Sequence, residues 1–203
     1  MIEKPAPWDL EGSGFLILLR RSAVIYGQPP ESRGWVSFLM CVNYETSPVG
    51  PYLEWLWIPG KAPDASGIMY TISDILVDTR ESVENGRRNW GIPKRLGRLD
   101  WQCLDGRMEM RSEVDEFTGR AAVRSIGPAF PFTTKLFPLG FHQHLNGHTY
   151  RLRPSASGRV RFAKVQELEL DGFGALRSVP RNAVLGALSV ERFAMCFPVP
   201  EIS

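Results

Sequence analysis

The sequence predicts a mainly β (α+β) chain, an antiparallel β-barrel-like or sandwich core with few short helices. Three observations predict it. Short apolar or alternating runs recur along the chain, Gly, Pro, Asp and Asn punctuate them, and only two stretches have helical character. A length of 203 residues suits one large β core, so residues 1–203 are expected to form a single domain.

Taken in order, strands are predicted at 14–25, 35–44, 52–58, 69–77, 99–104, 108–114, 121–126, 149–153, 159–170 and 190–197. Two-fold alternation is plainest in Met108-Glu109-Met110-Arg111 and in Val165-Gln166-Glu167-Leu168-Glu169-Leu170. Asp105-Gly106 and Ser157-Gly158 have the chemistry of hairpin turns. A helix is predicted over 79–89, with Thr79 as its N-cap and Glu81 and Glu84 in its early turns. A second short helix is predicted near 181–188.

Composition narrows the partners. Hydrophobic residues make up 43% and charged residues 23%, the balance of an ordinary folded protein. A formal net charge of +2 gives no ground for a nucleic-acid or membrane partner, so the expected partner is a small molecule. Residues 1–14 lack the apolar core and cleavage site of a signal peptide, and the run 15–19 falls far short of the about 20 apolar residues that cross a bilayer. Cys41, Cys103 and Cys196 stand too far apart for a disulfide framework or a metal-ligand spacing. A cytoplasmic location is the expectation.

The most informative stretch is Gly86-Arg87-Arg88-Asn89-Trp90-Gly91-Ile92-Pro93-Lys94-Arg95-Leu96-Gly97. The helix runs into Gly91, and Pro93 then forces an extended backbone. Lys94 follows that rigid turn, flanked by Trp90, Ile92 and Leu96. Apolar surroundings strip an amine of hydration and disfavour its charged form, and Arg95 beside it, with Arg87, Arg88 and Arg98 nearby, would push the same way. A neutral amine is what a nucleophile for a ketone needs. The plain alternative is an exposed lysine in a basic loop.

This pattern resembles the acetoacetate decarboxylase family, in which a Gly-Arg helix end precedes Pro-Lys-Lys-Leu-Gly or a close variant. The resemblance implies that Lys94 forms a Schiff base with Arg95 as its helper cation, on an acetoacetate decarboxylase-like fold that needs no metal or cofactor. Thr46-Ser47-Pro48-Val49-Gly50-Pro51-Tyr52-Leu53-Glu54 is similar to a second family stretch and puts Glu54 at an active-site glutamate. Residues 188–202 are similar to the family's last strand. Stepping back from Glu54 without gaps puts Leu39 where the family has another glutamate, and Ser13 near a substrate-side arginine. These departures predict that acetoacetate is a poor substrate and that the pocket favours a larger, more apolar one.

On a strand, Tyr52, Glu54 and Leu56 share one face and Leu53, Trp55 and Trp57 the other. An inward Glu54 would move protons; an outward one would only face water. His142, His144 and His148 read as a solvated loop around an Asn146-Gly147 turn rather than a zinc site. Arg87, Arg88, Lys94, Arg95 and Arg98 lack a phosphate loop or a nucleic-acid module around them, and Arg87 is expected to be a buried structural residue. The expected function is a Schiff-base lyase acting on a ketone or β-keto acid through Lys94, with Glu54 moving protons. Decarboxylation, aldol chemistry and dehydration share that intermediate. Tyr52, Trp90, Leu39 and Arg95 are expected to shape the pocket or tune the amine. The alternative is a hydrophobic-ligand barrel or a cyclase using Lys94 as a charge, and a homo-oligomer is left open.

Overall fold

Alternation sends successive side chains to opposite faces, and the long strands of this chain carry enough of it to build two cores. The computed structural model describes residues 3–26, 32–64, 67–114, 117–136, 139–173 and 176–203. In chain order the strands are β1 (Trp8–Arg20), β2 (Ile25–Tyr26), β3 (Val36–Thr46), β4 (Tyr52–Ile58), β5 (Gly60–Asp64), β6 (Gly67–Thr71), β7 (Asp74–Val77), β8 (Lys94–Leu96) and β9 (Leu99–Leu104). They continue as β10 (Arg107–Val114), β11 (Phe117–Thr133), β12 (Phe141–Leu145), β13 (His148–Leu152), β14 (Ser155–Asp171), β15 (Leu176–Ser178), β16 (Val184–Phe197) and β17 (Glu201–Ile202). Between β7 and β8 lies the helix α1 (Arg80–Trp90).

The large sheet has the order β8-β7-β4-β3-β1-β16-β14-β11-β10-β9. Its pairs are antiparallel except β7 with β8, which α1 joins as a parallel crossover. A smaller sheet follows the order β17-β13-β12-β6-β5, and β2 pairs with β15. The large sheet curls. Phe15 of β1 stacks on Trp101 of β9 with ring centroids 5.9 Å apart, and Trp55 of β4 meets Phe117 of β11 edge-on at 5.5 Å. Inside the curl Ile17, Leu39, Trp57, Met110 and Phe173 are fully buried. Each such side chain contributes roughly 1.5–3 kcal/mol over leaving it exposed, so apolar burial holds the curl. The other face of the same sheet carries a second core, with Tyr44, Ile75, Trp90 and Phe193 packed toward the small sheet and α1.

Three expectations need correction. The strand predicted at 69–77 is two strands, and β6 and β7 enter different sheets. Ser157-Gly158 does not turn; both lie inside β14, paired with β11 on one side and β16 on the other. The turns fall at Asp105-Gly106 and Asn146-Gly147, where all four residues have positive φ. The helix predicted at 181–188 is one 3-10 turn over Arg181–Ala183, after which pairing with β1 and β14 draws the chain into β16. Among the described residues no helix is long and apolar enough to cross a membrane.

Candidate active site

The helix α1 ends where its sequence says it must. Gly91 takes the left-handed conformation at φ 62°, and its N–H caps the Arg87 carbonyl at 3.0 Å. Chain direction then reverses through Ile92 and Pro93 into β8. On that short strand Lys94 turns inward and is 3% exposed, while Leu96, two residues on, is exposed. Ser82, Gly86 and Trp90 fall at i, i+4 and i+8 on α1, one buried stripe facing the lysine. Gly86 leaves room for the lysine stem, since a Cβ would stand 2.7 Å from Lys94 Cδ and 2.9 Å from Cε and would push that side chain aside. Arg87, which is exposed rather than buried, donates from Nε to the Lys94 carbonyl at 2.7 Å and fixes the turn from outside.

Across the cleft, β4 presents Tyr52, Glu54 and Leu56 on the face of the second core. The Lys94 ammonium donates to Glu54 Oε2 at 2.9 Å, to Ser82 Oγ at 3.0 Å and, more distantly, to Tyr52 Oη at 3.5 Å. It also lies 4.8 Å from the centre of the Tyr52 ring. Tyr44, opposite Tyr52 in the β3–β4 register, donates to the other Glu54 oxygen, Oε1, at 3.2 Å. Burial first, and the Glu54 charge second, push both phenols well above their ordinary range, which favours their protonated forms.

The pair opens onto a cavity of about 430 Å³, within the roughly 300–1,000 Å³ usual for small-molecule sites. Apart from Thr134 and Gln143, its wall is otherwise aromatic and aliphatic, with Leu16, Met40, Phe132, Leu188, Val190 and Phe193 from the large sheet and Phe141 and Leu152 from the small one. A buried ion pair costs several kcal/mol of hydration per charge, which core packing alone would not favour. Here that cost is met at the wall of a cavity.

No family model matches this chain, and no curated protein matches its sequence significantly. Its architecture does have solved counterparts. Acetoacetate decarboxylase from Legionella pneumophila superposes with a TM-score of 0.72, over 98% of this chain and 88% of that one, at 13% identity. The enduracididine biosynthesis enzyme MppR complexed with pyruvate gives 0.68 over 99% and 91%, at 14% identity. MppR complexed with the condensation product of pyruvate and imidazole 4-carboxaldehyde gives 0.65 over 98% and 90%, at 14% identity. The fold is acetoacetate decarboxylase-like.

Within this acetoacetate decarboxylase-like fold, four of the expected site residues meet: Lys94, Glu54, Tyr52 and Trp90 all line the cavity. Two do not. Arg95 points to the opposite side of β8, where its Nη2 is 3.7 Å from Asp74 Oδ1. The charge facing Lys94 is therefore the Glu54 carboxylate, and the expected helper cation is corrected to an anion. Leu39 is fully buried inside the curl, opposite Trp57, while its neighbours Phe38 and Met40 face the cavity. Counting back from Glu54 without a gap landed on the wrong face, since a shift of one residue inverts a strand. Ser13 is likewise away from the cavity, 3.5 Å from Glu45 Oε1, and Gly14 takes the lining position.

Ser82 and Tyr44 are the contacts that the sequence reading missed. The i, i+4 spacing from Ser82 through Gly86 to Trp90 was the available signal for the first. For Tyr44 it was the hairpin arithmetic that sets it opposite Tyr52. The histidines need correction as well: His142 and His144 lie on β12, and His142 is 3% exposed with Nδ1 3.8 Å from Asp64 Oδ1. Burial holds its imidazole below the usual range, with Asp64 opposing. Arg151 grips the same Asp64 with both arms of its guanidinium, at 2.7 and 2.9 Å. No three of His, Cys, Asp and Glu among the described residues stand close enough to hold a metal ion.

Proposed function

We propose that this chain is an enzyme in which Lys94 forms a Schiff base with the carbonyl of a ketone or keto acid. The observation that carries the reading is a buried amine and carboxylate, 2.9 Å apart, at the wall of an apolar cavity. Lysine can release its proton and arginine cannot, so the residue type matters. Glu54 takes the ammonium proton, and the neutral amine adds to the carbonyl carbon. Glu54 returns the proton to the new oxygen, water leaves, and an iminium remains. The iminium withdraws electrons from the adjacent carbon, whose C–H proton Glu54 accepts to give an enamine. Tyr44 steadies the carboxylate through both protonation states, and Ser82 holds the amine while it is unprotonated.

MppR holds pyruvate and, in a second complex, a condensation product of pyruvate with an aldehyde. Carbon–carbon chemistry beside a carbonyl is thus compatible with this fold, which supports a carbon–carbon lyase or its reverse. One observation favours a second reading. The three hydrogens of the ammonium already face Glu54, Ser82 and Tyr52, as a counter-ion in a hydrophobic-ligand barrel would. Exchange of ketone α-hydrogens in deuterated buffer, followed by proton NMR, separates the two. The enzyme reading predicts exchange by the wild type and none by Lys94→Arg. Ketone binding without exchange would leave only the binding barrel.

A further inference from the structure

We infer that the Lys94 cavity takes an uncharged carbonyl compound with an apolar tail and excludes keto acids. The inference rests on the Schiff-base reading for its covalent step and on charge and donor accounting for its specificity. Among the described residues that line the cavity, Lys94 and Glu54 alone carry charge, and at 2.9 Å they cancel. No arginine is among those described residues. Of the guanidinium groups near Lys94 in sequence, Arg87 is engaged on the Lys94 carbonyl, Arg88 on Glu3 and Arg95 on Asp74. A ligand carboxylate would lose its water, find no free cation and face Glu54, an unfavourable exchange in a dry site.

Neutral donors do not make up the difference. Tyr44 donates to Glu54, Trp90 Nε1 donates to the Pro198 carbonyl at 2.7 Å, and the Gln143 amide pairs with the backbone of Ile72 at 2.7 and 3.1 Å. Thr134 Oγ1 pairs with the backbone of Ala156. Tyr52, which accepts from Lys94, and Tyr70 remain, two phenols that suit a neutral oxygen better than a desolvated carboxylate. Beyond the lysine the wall runs apolar to a mouth where Phe130 and Leu139 are 37% and 40% exposed. A hydrocarbon tail would cover that rim as well as fill the interior.

The chemistry follows from the missing acid group. The Lys94 ammonium, its protons relayed by Glu54 to the departing oxygen, and the ketone lose one water to form the iminium. The Glu54 carboxylate then takes an α-hydrogen to give the enamine and a neutral carboxyl. With no carboxylate on that carbon there is no carbon dioxide to lose. The enamine carbon bonds instead to a second carbonyl carbon, the Glu54 proton goes to the resulting alkoxide, and water releases the product from Lys94. The reverse sequence cleaves the same bond.

The test uses wild-type protein, borohydride and matched probes. The 2-alkanones from acetone to 2-nonanone are compared with the 2-oxo acids pyruvate and 2-oxononanoate, and the adduct on Lys94 is read by mass. In parallel, quenching of tryptophan fluorescence measures binding without reduction. The half-labelling concentration of the ketones should fall about fourfold per added methylene until the cavity is full. The acids should label more than about a hundredfold less well at equal length. If acids label as well as ketones, the specificity inference is overturned and the Schiff base stands. If nothing labels but quenching still ranks long ketones above acids, the ligand class stands and the Schiff base fails. If quenching shows no such ranking, the inference is overturned as well.

Discussion

Glu109 and Glu54 are both almost wholly buried, and they are held in opposite ways. Glu109 on β10 is 1% exposed and is gripped by Arg107, Arg111 and Arg120, with Glu167 sharing Arg107 and Arg120. Burial alone would raise its pKa, but hydrogen bonds from Arg111, Arg120 and Arg107 outweigh it and bring it down to about 2. All its partners are permanently charged, they lie partly in water, and none of them lines the Lys94 cavity. Glu54 is 4% exposed, with one lysine on one oxygen and one tyrosine on the other, beside about 430 Å³ of apolar space. The first arrangement fixes a charge and staples three strands. The second sets the carboxylate against a lysine, a residue type that can release its proton, at the wall of a cavity. Burial of a charge is therefore not in itself the mark of a site; a partner that can give up its proton, next to a cavity, is.

Removing each carboxylate should separate the two. Glu54→Gln leaves the buried ammonium unpaired, so denaturant melts should show a loss of about 3–5 kcal/mol, and α-hydrogen exchange should vanish. Adding Lys94→Met should recover most of the lost stability and none of the exchange. If the double variant is no more stable than the single one, the pair is not energetically coupled.

Glu109→Gln should cost less, about 1–3 kcal/mol, because water screens the half-exposed arginines, and it should leave exchange unchanged. Its pH signature is specific. The folded value lies below the ordinary 4.5, so the stabilisation is complete above about pH 4.5 and is lost as pH falls toward 2. Wild type and Glu109→Gln should therefore converge in melting temperature across that window. Parallel curves would mean that Glu109 does not drive the acid response.

Tyr44→Phe is the finest probe of the pair. It removes one hydrogen bond to Glu54 Oε1 and should cost about 0.5–1.5 kcal/mol. The kcat for exchange should drop more than the ketone KM changes, because the lost hydroxyl bonds to Glu54 while the ring that lines the cavity is kept. A change confined to KM would make Tyr44 a wall residue only.

Much of this was legible in the chain. Gly91 and Pro93 determine where α1 stops and how Lys94 enters its strand, and both are local effects that a sequence displays. The face of Glu54 follows from alternation within β4, with Tyr52 and Leu56 beside it. Errors came where parity or tertiary pairing decides. Arg95 is adjacent to Lys94 in sequence and for that reason opposite to it on a strand. Leu39 was placed by a gapless count that cannot register the β3–β4 hairpin, in which Val42 stands across from Glu54. Residues 184–188 have helical character alone, but β1 and β14 leave a gap in the sheet that only another strand fills. Ser82 lies 12 residues from Lys94, and only the folded turn brings its hydroxyl to 3.0 Å.

The most direct measurement is reductive trapping followed by peptide mapping. Wild-type protein is incubated with a 2-alkanone, reduced with borohydride and digested, and the modified residue is located by mass spectrometry. The account predicts one adduct per chain, on Lys94, absent from Lys94→Arg and much reduced in Glu54→Gln. A ketone that occupies the cavity yet leaves Lys94 unmodified, or labels only surface lysines such as Lys61 and Lys135, would contradict it.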